Sequence, residues 1–201
     1  MLRRFFSTAT RAPRIKSYRV TAVAAGPTHA QCVTTTASGH EVRSDLPKFS
    51  GGTDSAAEPV YLLLSALAGC EAATAAYVAR HMKLRIGAIS FELEAERDER
   101  GALAMPIADE PSAPARLLHV RGVARVSDTE ATPEQLRALG RAVHRRCPVA
   151  NMIVLSGCVL DVDFVHTDRT SCSDGVDGHD VGESGGGGGR VRHEDGKSAT
   201  T

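Results

Sequence analysis

The stretch PVYLLLSALAGCEAATAAYVARH, residues 59–81, decides the fold. Proline suits a first helical turn, and residues 60–79 carry a single charge, Glu71. A helix that is apolar nearly all round is expected to be buried on most sides. The run is also long enough to cross a bilayer. Much of it is Ala, Gly, Ser and Thr, however, and Glu71 stands near its middle, where an unpaired carboxylate in lipid is costly. The reading is therefore a central core helix, with no membrane as partner.

Strand-like runs flank this helix. Residues 18–25 and 31–36 are rich in β-branched side chains and are bounded by Gly26-Pro27 and Ser38-Gly39. From Ile89 the pattern alternates, with Ile89, Phe91 and Leu93 against Ser90, Glu92 and Glu94. It resumes at Leu118, Val120, Ala124 and Val126 after a loop holding Pro106, Pro111 and Pro114. A last strand is expected over residues 153–165, with Cys158, Leu160, Val162 and Phe164 on one face. One-sided alternation points to antiparallel sheets with one wet face. A second helix is expected over residues 132–147. Thr132 is its N-cap, Pro133 sits in its first turn and Gln135 completes a capping box. Leu136, Leu139, Val143 and Cys147 form its apolar stripe, and Pro148 stops it. The order of elements is α+β, without regular βαβ alternation.

The ends differ from this middle. Glu41 is the first acidic residue, and Arg3, Arg4, Arg11, Arg14, Lys16 and Arg19 precede it among Ser7, Thr8 and Thr10. An arginine-rich, hydroxyl-rich, acid-free start has the composition of a mitochondrial transit peptide, and residues 1–16 are read as such a leader. From residue 167 the chain turns Gly-rich, with five glycines at 185–189, and is read as a disordered tail holding Cys172, His179 and His193. Residues 17–166 form the domain. With 24 basic and 24 acidic residues the net charge is zero, which gives no electrostatic case for nucleic acid.

Five cysteines at wide spacing, Cys32, Cys70, Cys147, Cys158 and Cys172, do not form a secreted disulfide framework. No CxxC pair stands among them, so a structural zinc site is not expected. No phosphate-binding glycine motif lies in the folded region, so no nucleotide or other cofactor is expected either. Cys70 lies mid-helix among Ala66, Leu67, Ala73 and Thr74, and Cys147 ends the stripe of the second helix; both are expected to face the core. On pattern alone they are either two ordinary core cysteines, since free cysteine is commonly buried, or a chemical pair. Cys32 and Cys158, each in an expected strand, are read as core residues.

Two segments resemble the motifs of the OsmC/Ohr family, the osmotically inducible protein C and organic hydroperoxide resistance proteins. One is Gly51-Gly52-Thr53-Asp54, then Pro59 and the run from Leu62 to Cys70. The other is Arg146-Cys147-Pro148-Val149-Ala150. The resemblance covers about residues 17–166. It implies an intertwined homodimer in which two central helices pack against sheets supplied by both chains. It also implies thiol-dependent reduction of organic hydroperoxides, with Cys70 as the peroxidatic thiol and Cys147 as the resolving one. An external dithiol, in the family a lipoyl group on a protein, would be the reductant. Peroxide-reducing members also use an arginine held by a carboxylate early in the first helix. This chain has Val60 and Tyr61 there, and Gly26-Pro27-Thr28-His29 in the early strands. Arg43, Arg80 or Arg146, with Glu71 as carboxylate, are the candidate substitutes; Glu71 could equally be a structural partner of a buried arginine. The departure leaves a second reading: a redox-responsive or apolar-ligand-binding dimer that keeps the fold without fast peroxide turnover. A purely structural core with inert cysteines is the third.

Overall fold

The computed structural model describes residues 14–26 and 28–167. The leader assigned to residues 1–16 and the tail assigned to 167–201 lie, apart from residues 14–16 and Thr167, outside the described residues. Three strands, β1 (Val20–Ala25), β2 (Gln31–Thr36) and β3 (Glu41–Ser44), form an antiparallel sheet in that order. The expected turn at Ser38-Gly39 is present, with the Gly39 amide donating to the Thr36 carbonyl at 3.0 Å. The third strand, four residues long, was too short to carry a periodic signal.

The segment that leads into the long helix is organised by one buried carboxylate. Asp45 accepts from the amides of Leu46, Thr53 and Ser55 at 2.8, 3.1 and 3.0 Å, and from the hydroxyls of Thr53 and Ser55 at 2.7 and 2.8 Å. These bonds, led by that from the Thr53 hydroxyl, hold its pKa well below the usual carboxylate range. Gly52 is required in this turn because a Cβ there would overlap the Leu46 carbonyl.

Helix α1 spans Pro59–His81, as read from the sequence. Its burial departs from expectation. Only a stripe of Leu67, Glu71, Ala75, Val78 and Ala79 is buried, while Tyr61, Leu63 and Tyr77 are exposed. The reason is geometric: a single chain covers the helix on one side only.

A second sheet follows, with strand order β4 (Ile89–Arg97), β5 (Leu117–Val126) and β6 (Val159–His166). The alternation along β4 places Ile89, Phe91 and Leu93 inward and Ser90, Glu92 and Glu94 outward, as expected. A one-turn helix, α2 (Arg100–Leu103), begins the Pro-rich loop between β4 and β5. Helices α3 (Pro133–His144) and α4 (Pro148–Leu155) pack with α1 and β6, and α1 also touches β4. The capping box at Thr132 is present: the Gln135 amide donates to the Thr132 hydroxyl at 3.3 Å, and the Thr132 amide to the Gln135 side chain at 2.7 Å.

Four expectations are corrected here. The second sheet is not wholly antiparallel, because β5 and β6 run parallel. The chain crosses from β5 to β6 through α3 and α4, and a helical crossover returns the chain in the same direction. The helix expected over residues 132–147 ends at His144, and residues 148–155 form α4 where the last strand was to begin. Pro148 causes both changes. It holds Cys147 in an extended conformation, φ −73° and ψ 115°, which breaks the first helix, and then serves as the first residue of the next. Cys158, placed in a strand by the alternation, lies one residue before β6.

The core consists of two mainly aliphatic clusters between helices α1, α3 and α4 and the second sheet. One part gathers Ala75, Val78, Leu136, Leu139, Val143 and Phe164. The other gathers Leu67, Val120, Cys147, Ala150, Ile153 and Cys158, with Cys70 at its edge. The outer face of the sheet carries exposed ion pairs, Arg121 with Glu94 and Glu96, and Arg125 with Glu92. Pairs this exposed stabilise weakly.

Candidate active site

Cys70 and Cys147 are brought together, and their surroundings differ. Cys70 is half-buried on α1 and lines a cavity of about 740 Å³. Cys147 is fully buried at the N-cap of α4, where its sulfur accepts from the Ala150 amide at 3.4 Å. Burial pushes the Cys147 thiol up to about 11, and the adjacent Cys70 side chain pushes the same way. The amides of Ala150 and Val149 at the helix start oppose this, as an N-terminus favours a thiolate. Burial wins, so Cys147 is held as a neutral thiol. Of the two, Cys70 is the one that a molecule in the cavity can reach.

The cavity lies between α1, the start of β5 and the outer side of α4. Leu63, Leu117, Pro148, Val149, Met152 and Ile153 make its wall apolar, Tyr18 stands at its rim, and Ser156 and Arg116 are its other polar members. None of the arginines named from the sequence is among its lining residues. Arg43 is exposed and pairs with Glu41 at 3.0 Å. Arg80 is exposed and stands ten residues further along α1 than Cys70, roughly 15 Å along the axis. Arg146 is exposed and its guanidinium donates to the Ala142 carbonyl at 3.3 Å. The arginine that does line the cavity is Arg116, which no sequence signal marks. It follows a Pro-rich loop with no motif around it, and it reaches the cavity that Cys70 lines because Leu117 and Val120 of β5 pack in one cluster with Leu67 of α1. Its positive charge acts on the Cys158 thiol, partly opposing the rise that burial causes there.

Glu71, the candidate carboxylate, does not line the cavity. It is fully buried on the neighbouring face of α1, about 100° around the helix from Cys70. Its carboxyl comes within 3.3 Å of His144 Nε2, and no arginine pairs with it among the described residues. The approach lacks hydrogen-bond alignment, and both carboxyl oxygens and His144 Nε2 are without hydrogen-bond partners. Burial pushes Glu71 up to about 7. Burial also pushes His144 down, against the pull of Asp161 and Asp163. Val60 and Tyr61 occupy the first turn of α1, and Glu58, the acid next to them, faces a separate depression with Glu94 and Arg121. Among the described residues no three His, Cys, Asp or Glu side chains gather as a metal site.

The family model described as OsmC-like protein matches residues 52–163, more than half of the chain. Solved structures share the fold. An OsmC-like protein from Mycoplasma pneumoniae matches with a TM-score of 0.59 and 20% identity, covering 76% of this chain and 99% of that one. An organic hydroperoxide resistance protein OsmC from Legionella pneumophila matches at 0.56 and 20%, covering 78% and 100%. The organic hydroperoxide resistance protein OhrB of Bacillus subtilis matches at 0.52 and 18%, covering 74% and 98%. No curated protein matches. The motif around Cys70, the Cys147-Pro148 junction and the two-sheet fold thus agree with the family match, and the chain belongs to the OsmC/Ohr family of OsmC-like proteins.

Proposed function

We propose that this chain is a thiol-dependent hydroperoxide reductase that works through Cys70 and Cys147. The observation that carries the reading is the asymmetry of the pair: Cys70 faces an apolar cavity while its side chain neighbours the fully buried Cys147. The Cys70 thiolate attacks the terminal peroxide oxygen. An S–O bond forms, the O–O bond breaks, and the alcohol leaves after taking a proton, with Cys70 now a sulfenic acid. The Cys147 thiol condenses with it, forming a disulfide and releasing water. An external dithiol, for example a dihydrolipoyl group on a protein, restores both thiols by exchange and is itself oxidised to a disulfide. A neutral, buried thiol suits the resolving role, since it is shielded from peroxide until its partner is oxidised. The apolar wall favours organic hydroperoxides over hydrogen peroxide. Structural neighbours named organic hydroperoxide resistance proteins support the same reaction class.

The exposed apolar side of α1 and the slight packing of the first sheet on the rest of the chain support an intertwined homodimer. The acid-free start supports a mitochondrial location. The test is steady-state reduction of cumene hydroperoxide with dihydrolipoamide, with Cys70→Ser and Cys147→Ser beside the unaltered chain. Turnover abolished in Cys70→Ser is the expected result; turnover no faster than free thiol and unchanged by Cys70→Ser would sink the reading. The absence of a carboxylate at Val60 and Tyr61 favours one alternative, a ligand-binding dimer with little turnover. It predicts tight retention of an apolar molecule in the same cavity.

A further inference from the structure

We infer that Asn151 is a positioning residue for the Cys147 thiol: its side-chain amide clamps the junction of α3 and α4 and holds that thiol where it can close on Cys70. The inference rests on the reading of Cys70 and Cys147 as a redox pair and names the residue that sets the pair's geometry.

The need for a clamp follows from Pro148. In an unbroken helix the His144 carbonyl would accept from the amide four residues on. That residue is Pro148, which has no N–H to give. The Asn151 side chain, three residues further on, takes its place: Nδ2 donates to the His144 carbonyl at 2.9 Å. The same nitrogen donates to the Cys147 carbonyl at 2.8 Å, which uses both of its N–H groups. Both partners are acceptors, so the carboxamide turns its nitrogen to them. One side chain thus bridges the last residue of α3 and the N-cap of α4.

Cys147 is fixed between these bonds. Its amide donates back to the Val143 carbonyl of α3 at 2.8 Å, and its carbonyl also accepts from the Asn151 amide at 3.0 Å. With the backbone held on both sides, the buried sulfur is set against the Ala150 amide. Asn151 itself is exposed and is not among the residues that line the Cys70 cavity. It acts through Cys147 and not on a substrate.

Closure of the pair makes a strict geometric demand. The Cys147 sulfur bonds to the Cys70 sulfur, the Cys70 S–O bond breaks, and the hydroxyl leaves as water with the Cys147 proton. The product requires its sulfurs roughly 2 Å apart with a dihedral angle of roughly 90°. A loosened joint spreads Cys147 over positions that miss this geometry and lowers its effective concentration at Cys70. The cost falls on closure alone, because the peroxide meets Cys70.

The test is the partition of oxidised Cys70 in the full chain. Equimolar cumene hydroperoxide is added with a fixed excess of dimedone, and intact mass measures trapped sulfenic acid against disulfide. Asn151→Leu keeps the shape without the donors, and Asn151→Asp puts an acceptor oxygen where the donor nitrogen stood. Both are expected to raise the ratio of trapped sulfenic acid to disulfide at least about tenfold, with hydroperoxide consumed in this first turnover at a rate within about twofold of the unaltered chain. Thr132→Ala, which weakens the other end of α3, is expected to leave the ratio unchanged. An unchanged ratio in Asn151→Leu, or an equal rise in Thr132→Ala, overturns the inference. A second oxidant separates its failure from that of the peroxidase reading. 2-Hydroxyethyl disulfide forms a mixed disulfide with Cys70 and releases 2-mercaptoethanol; Cys147 then closes the pair by displacing the other half. Closure slowed at least about tenfold in Asn151→Leu, in a chain that does not reduce cumene hydroperoxide, sinks only the enzyme. Cumene hydroperoxide turnover with closure as fast in Asn151→Leu as in the unaltered chain sinks only this assignment. A chain that forms no disulfide between Cys70 and Cys147 with either oxidant overturns both.

Discussion

Glu71 Oε1 and His144 Nε2 stand 3.3 Å apart across the α1–α3 contact, and neither atom completes a hydrogen bond. The pair joins the same two regions as the thiols, since Glu71 follows Cys70 and His144 stands three residues before Cys147. Asn151 ties that junction together, donating to the carbonyls of His144 and Cys147 at 2.9 and 2.8 Å. Burial drives both titratable groups toward their neutral forms, so the contact between α1 and α3 is one of packing rather than of charge.

The sign of the resulting pH dependence follows from the direction of each shift. Glu71 is raised from its ordinary 4.5 to about 7, so the folded state holds this proton more firmly than the unfolded one. Its contribution is fully present below about 4.5 and is lost as pH rises through about 7. Glu71→Gln, which keeps the shape without the charge, is expected to be more stable than the unaltered chain at pH 8. The gain is about 3 kcal/mol and vanishes towards pH 4.5. Urea midpoints at the two pH values check this; a destabilised variant at pH 8 would show that the carboxylate is ionised and paired.

His144 acts in the opposite sense. Its folded pKa is lowered, chiefly by burial, so its neutral form is favoured on folding. Its contribution is present above its ordinary value of 6.5 and is lost as pH falls through the lowered folded value. In a His144→Gln chain, the part of acid destabilisation that sets in just below pH 6.5 should be reduced. Parallel urea titrations from pH 7 to pH 5 measure it.

Cys147→Ser is expected to fold, because serine is a good N-cap for α4 and differs little in size. It removes the thiol proposed to condense with oxidised Cys70. Equimolar cumene hydroperoxide should then leave Cys70 as sulfenic acid, and an excess should carry it to sulfinic acid. Intact-mass analysis with a sulfenic-acid trap distinguishes this from the disulfide expected of the unaltered chain.

Thr132→Ala removes one half of the capping box of α3 and should lower stability by about 1 kcal/mol. Leu139→Ala, in the fully buried layer against α1 and β6, should lower it by roughly 2–5 kcal/mol. Thermal melts separate the two, and the peroxidase assay on each should be unchanged below its melting range.

The sequence by itself determined the elements whose signals are local. Pro59 and the apolar run set α1, Thr132 and Gln135 set the start of α3, and alternation from Ile89 set β4. The family motifs named Cys70 and Cys147, and the residues alone left core packing open as an explanation. Pro148 was legible as a helix breaker but not as the opening of α4, because one proline supports either role until the following residues find something to pack on. Only the tertiary structure decided that β6 runs parallel to β5, that α1 is buried along one stripe of a single chain, and that Glu71 meets His144 rather than an arginine. The same holds for Arg116: nothing near it in sequence marks it, and it reaches the Cys70 cavity because Leu117 and Val120 of β5 pack in one cluster with Leu67 of α1. Contacts between residues distant along the chain depend on how elements pack, and periodicity and capping describe each element alone.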